Sequence, residues 1–157
     1  MKNLFIMIFL AVSFSGCLAS CGKDDDDINN ANPTENTSTM ENGKIKIKIG
    51  SHTFTATLSD NASAKAFKAM LPLTINMTEL NGNEKYYDFK DALPSNAINP
   101  GNISNGNLML YGSKTLVLFY KNFSTSYSYT KLGKLDNANG LETALGGGNV
   151  NVTFELN

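Results

Sequence analysis

From Lys44 to Leu58 the chain alternates apolar and polar residues almost without a break. Ile45, Ile47 and Ile49 fall on one side of an extended segment and Lys44, Lys46 and Lys48 on the other; beyond Gly50-Ser51, Phe54, Ala56 and Leu58 alternate with Thr53, Thr55 and Thr57. A period of two marks half-buried strands. A two-residue turn at Gly50-Ser51 pairs Ile47 with Phe54 and Ile45 with Ala56, so both apolar faces coincide as a hairpin register requires. His52, the one histidine, then lies opposite Ile49 and reads as a half-buried strand residue rather than a ligand or base.

The period changes at "SDNASAKAFKAMLP", where Ala64, Phe67, Met70 and Leu71 recur at helical spacing, Ser59 or Asp60 offers an N-cap and Pro72 stops the run. One amphipathic helix plugging the end of a sheet or barrel is predicted. "LTINMTELNGNEKYYDF" follows as two strands around Asn81-Gly82. A strict two-residue turn there sets Glu79 against Glu84, which repel. The expected turn is therefore longer and includes Asn83; the alternative is two carboxylates meeting to bind a cation.

"ALPSNAINPGNISNG" reads as a loop. "NLMLYGSKTLVLFYKN" is a second tight hairpin around Gly112-Ser113, and pairing across that turn groups Met109, Tyr111, Leu116, Leu118 and Tyr120 on one face and Leu108, Leu110, Val117 and Phe119 on the other. Both faces are apolar. A barrel lumen buries only one, so the second must be covered by a helix or loop or serve as a recognition surface. A short helix from Leu141 to Leu145 stopped by Gly146, then a last strand with Val150, Val152, Phe154 and Leu156 inward, completes seven or eight strands and two helices. Such an order suggests a mainly β fold, a closed barrel capped at both ends.

The N-terminal residues do not belong to that pattern. Lys2 and the apolar run Leu4 to Val12 form a secretory h-region too short to span a bilayer. "LASC" resembles a bacterial lipobox, with Leu18 three residues before Cys21 and small residues between; "FSGC" places bulky Phe14 there, which disfavours Cys17. The resemblance implies lipidation of Cys21 and a membrane as partner through that anchor, several acyl chains holding firmly where one binds reversibly. "KDDDD" then looks like the acidic export signal of many Bacteroidetes lipoproteins, implying the outer membrane and display at the cell surface, although a charge run is otherwise a solvated tether. Residues 28–42 are too polar to fold. The expected organisation is a signal peptide over 1–20, a disordered acidic tether over 21–42 and one domain over 43–157.

Charge and chemistry narrow the function less. The whole chain carries a formal charge of −1, whereas residues 43–157 hold eleven lysines against eight carboxylates, about +3, too weak a bias for nucleic acid. No Ser/His/Asp constellation, phosphate loop or metal-ligand spacing is present, so no catalytic residue, metal or cofactor is assigned. "GGG" at Gly146 to Gly148 follows a helix and reads as a stop and turn.

The segments "FTATLSDNASAKAFKAMLPLTINMTELNGNEKYYDF", "GNLMLYG", "LVLFYKNFSTSYSYTKLGKLD" and "VTFELN" resemble the small bacterial cyclophilin-like domains over nearly all of 44–157. The resemblance implies an eight-stranded barrel with two helices and no known activity. Cyclophilins that isomerise prolyl bonds use an arginine; this chain has none, all thirteen basic residues being lysine, and the "FHRV" and "GGD" signatures are missing. Lysine lacks the planar fork of guanidinium donors. The leading expectation is therefore a non-catalytic lipoprotein that binds a peptide, glycan or small ligand through "NFSTSYSYT", with Tyr120, Phe123, Ser124, Ser126, Tyr127 and Tyr129 as the binding residues, since interleaved aromatics and hydroxyls suit a paratope-like surface. The alternative is a prolyl isomerase or other enzyme using the cyclophilin cleft, with Tyr120, Tyr127 or Glu79 as polar participants.

Overall fold

The computed structural model describes residues 43–157. The apolar leader, Cys21 and the acidic spacer lie outside the described residues. β1 (Lys44–Ile49) and β2 (His52–Leu58) form the first hairpin in the expected register, Ile47 against Phe54 and Ile45 against Ala56. Gly50 takes φ 56° in the turn, a conformation that costs glycine nothing. His52 pairs with Ile49 but is exposed rather than half-buried, stacked on Phe54 at the turn end of the hairpin.

α1 (Ala62–Ala69) starts later than expected. Its N-cap is Asn61, whose Oδ1 accepts from the Ala64 N–H at 2.8 Å. The Ser59 N–H still donates to the Leu132 carbonyl, so the chain remains extended there, and the Asp60 carboxylate pairs with Lys65 instead of capping. Ala64 and Phe67 are buried, Phe67 meeting Phe154 edge-on at 5.4 Å, while Met70 lies past the last turn and is exposed.

β3 (Leu73–Leu80) and β4 (Glu84–Asp88) are joined by Asn81, Gly82 and Asn83, the longer turn. Glu79 consequently pairs with Lys85 and not with Glu84. The expected loop contains a short strand, β5 (Asn102–Ile103). β6 (Asn107–Tyr111) and β7 (Thr115–Phe119) correct the second hairpin by one residue: the loop is Gly112-Ser113-Lys114, and Leu108 faces Leu118, Met109 faces Val117 and Tyr111 faces Thr115. A one-residue slip exchanges faces along one whole strand. The lumen face is therefore Leu108, Leu110, Leu116, Leu118 and Tyr120, and the outer face Met109, Tyr111, Val117 and Phe119.

The remaining elements are β8 (Phe123–Ser124), β9 (Tyr129–Leu135), α2 (Leu141–Leu145) and β10 (Val150–Leu156). Eight strands close an antiparallel barrel in the order β1-β10-β3-β4-β7-β6-β9-β2, and β5 pairs with β8 as a separate ribbon. The seam between β2 and β9 depends on Gly133, because a Cβ there would lie 2.6 Å from the Thr57 carbonyl oxygen. The main core fills the lumen with Ile45, Ile47, Phe67, Met77, Val152 and Phe154 among others; Leu156, the last residue of β10, is exposed rather than inward.

The outer apolar face of β6–β7 is partly covered. Ile103 of β5 and Phe123 of β8 lie over Met109, Val117, Phe119 and Tyr129 in a second, smaller cluster. The cover is thus a two-stranded ribbon, and it stops short of Tyr111.

Candidate functional site

Beside the ribbon, the uncovered part of that outer face becomes a cleft of about 520 Å³. Its floor comes from alternate residues of β4 and β7, Tyr86 paired with Val117 and Asp88 with Thr115, which the pleat directs to one side. Glu84, Asn81, Asn83 and Leu80 close one end at the β3–β4 turn. Phe123 to Tyr127 overhang the opposite side. The overhang is tied down by main-chain bonds, Thr125 N–H to Gly101 at 2.9 Å and the pairing of Ser124 with Asn102, and by Asn99 donating to the Ser126 carbonyl at 3.2 Å.

Five rings line up along this wall. Tyr127 meets Tyr111 edge-on at 6.0 Å, Tyr111 meets Tyr129 at 5.6 Å, Tyr129 meets Phe119 edge-on at 5.5 Å and Phe119 meets Phe123 at 5.6 Å. The series runs from solvent to core. Tyr127 is 62% and Tyr111 46% exposed, whereas Tyr129 is 7% and Phe119 fully buried, so the outer rings present open surface on a rigid inner support.

Of the six residues proposed from the sequence to bind a ligand, Phe123, Ser124, Ser126, Tyr127 and Tyr129 line the cleft. Tyr120 does not. It shares the parity of Leu116 and Leu118, so it turns to the lumen side, where its hydroxyl lies 2.9 Å from both oxygens of Glu79. The sequence reading did not assign Tyr86 or Asp88 to a site, considered Glu84 only as a partner of Glu79, and grouped Val117 and Tyr111 on opposite faces. Alternation along "EKYYD" was the available signal for the first three, and the correct turn length at Gly112 would have set Tyr111 beside Val117.

Glu79 and Lys85 form a second polar group, near the α2–β10 turn. Lys85 is fully buried, and its ammonium donates to the Glu79 carboxylate, to the Gly146 carbonyl at 2.8 Å and to the Gly148 carbonyl at 2.6 Å. All three ammonium donors are used. The glycine run after α2 is therefore an oxygen cradle as well as a helix stop. Burial alone would raise the Glu79 carboxyl, but hydrogen bonds from Lys85, Tyr120 and the Gly82 N–H, with the Lys85 charge, outweigh it and hold Glu79 below its usual value. Burial, and then the Glu79 hydrogen bond and charge, push the Tyr120 phenol far above its ordinary value, so it stays protonated as a donor.

In the cleft the balance runs the other way. Burial, with the Glu79 charge adding to it, pushes Glu84 above the usual carboxylate range. Burial and then the Glu84 charge likewise raise Tyr129. Asp88 accepts a hydrogen bond from the Thr115 hydroxyl at 2.6 Å. Among the described residues no three metal-ligating side chains gather.

Comparison with known proteins bears on the fold. The solution structure of a hypothetical protein from Archaeoglobus fulgidus superimposes with a TM-score of 0.51 at 16% identity, covering 73% of this chain and 95% of that chain, a likeness of fold alone. No curated protein matches the chain. A sequence model of the cyclophilin-like family matches residues 47–155, almost the whole barrel from β1 to β10. With that span matched, the chain belongs to the cyclophilin-like family.

Proposed function

We propose that this protein is a binding module which holds a peptide, glycan or small ligand in the cleft between the β4–β7 floor and the 123–127 overhang, without catalysing a reaction. The observation that carries the reading is the aromatic series that climbs from the core to Tyr127, beside hydroxyls at Ser124, Thr125 and Ser126. A concave site of this volume with apolar walls and a few polar groups is the usual form of a ligand pocket. Rigid aromatics lose little conformational entropy on binding, which favours affinity without moving parts. Among the described residues, Leu80, Tyr111 and Tyr127, three of the six exposed large apolar side chains, border this one cleft, while Met70, Ile98 and Leu156 lie elsewhere.

The same reading places the module at the outer membrane through a lipid on Cys21, projected outward by the acidic tether; the short leader, "LASC" and "KDDDD" support it. Incorporation of a labelled fatty acid, lost in Cys21→Ser, tests the anchor, and protease access in whole cells tests the outward face.

Because the chain has no tryptophan and four of its six tyrosines line the cleft, tyrosine fluorescence reports ligands directly. A saturable change with a member of a peptide and glycan panel, lost in Tyr127→Ala, is expected. A proline-isomerisation assay should return the uncatalysed rate. A clear acceleration would replace the binding module by an isomerase that works without arginine.

A further inference from the structure

The charge of the cleft is opposite to the charge of its domain. Residues 43–157 carry eleven lysines and eight carboxylates, yet the cleft lining contains Glu84 and Asp88 and no lysine. The two acids are not equivalent. Asp88 is exposed and bonded by Thr115. Glu84 is half-buried, and its carboxylate has no hydrogen bond or ion pair among the described residues.

An ionised carboxylate withdrawn from water without a partner is costly. Lys85, the next residue, cannot relieve it, because its three donors are committed on the other side of the strand. The Asn83 side-chain oxygen, at the same end of the cleft, is buried without a partner, whereas the Glu84 oxygens still reach solvent. Acceptors are thus in excess at this end. Tyr86, Tyr111, Tyr127 and Tyr129 add ring faces, whose quadrupole attracts positive charge, and hydroxyl oxygens that can accept from N–H groups.

We infer that the cleft takes an organic cation, an alkylammonium or quaternary ammonium group on an apolar body, with the charge beside Glu84 and the body against the tyrosines. This specifies the ligand class of the binding module and rests on that reading. Glu84 supplies the counter-charge, Tyr111 and Tyr127 the ring contacts. The apolar body lies over Val117 and Tyr86, where a purely ionic ligand would gain nothing.

Matched probes separate charge from shape. Choline is compared with its neutral isostere 3,3-dimethylbutanol, and an acetylated Gly-Lys-Gly amide with its norleucine counterpart, by tyrosine fluorescence and by amide NMR shifts over residues 123–129. The charged member of each pair should bind roughly tenfold more tightly. Glu84→Gln should shrink that preference, and so should raised salt, since a partly exposed pair is screened. Equal affinity within both pairs, or a preference that survives Glu84→Gln, would overturn the inference while leaving a binding cleft in place. Failure of every charged probe would overturn it too; the neutral glycans and peptides of the wider panel then decide separately whether the cleft binds anything.

Discussion

On β4, Lys85 turns to the lumen and Glu84 to the cleft, one residue apart, and the fold treats the two charges in opposite ways. Lys85 has a carboxylate and two carbonyls, with the Tyr120 ring 5.6 Å from its nitrogen, so the protein completes its coordination internally. Glu84 is left half-buried and unpaired against a row of rings. A satisfied buried charge holds elements together, here the β3–β4 hairpin to the α2–β10 turn. An unsatisfied one at a surface cleft costs stability and is useful when a partner arrives.

The comparison can be broken most severely from the lumen side. Glu79→Ala strands the buried ammonium of Lys85, and removing one partner of a buried pair costs on the order of 3 kcal/mol or more; urea unfolding should show it as a lower midpoint. A loss no larger than that of a surface substitution would mean the network is decorative. Tyr120→Phe removes the phenol that donates to Glu79 but keeps the ring, so about 1.5 kcal/mol is expected, as for a hydrogen bond to a charged group. A double-mutant cycle with Glu79→Ala should reveal strong coupling.

Acid sharpens the contrast, because the two glutamates are displaced in opposite directions from 4.5. Glu79, held low in the fold, contributes stability that is complete above its unfolded value and is lost as pH falls through its folded value. Glu84, held high, imposes a cost at neutral pH that is relieved as pH falls through its raised value. Unfolding curves across the acid range should therefore be less acid-sensitive in Glu79→Gln and more so in Glu84→Gln, relative to the unmodified chain.

The smallest stability effects belong to the cleft. Glu84→Gln and Tyr127→Ala should change unfolding by no more than about 0.5 kcal/mol, typical of surface positions, while altering ligand response. A large destabilisation by Tyr127→Ala would place that ring among the structural aromatics and weaken the cleft as a binding surface.

Much of the barrel was legible in the linear order of residues. Strict alternation in "KIKIKI" and "HTFTATL" determined the first hairpin down to its partners, since a shift of one residue would have put isoleucine in water. The repulsion of Glu79 and Glu84 correctly lengthened the turn at Asn81, and the composition of 141–146 marked α2 and its end. The second hairpin failed for the complementary reason. With both of its faces apolar, either register buries hydrophobic residues, so the pattern could not choose between a two- and a three-residue loop at Gly112.

That one choice carried the site with it. Parity placed Tyr120 in the lumen and Tyr111 in the cleft, and only barrel closure brought β4 beside β7 to set Glu84, Tyr86 and Asp88 on the same floor. Sequence alone determined the class of fold and the aromatic, hydroxyl-rich segment that overhangs the cleft, because alternation and composition are local properties. The identity of the charged neighbours, satisfied on one side of β4 and unsatisfied on the other, was decided by tertiary structure, because burial and pairing depend on residues up to 63 positions apart in the chain.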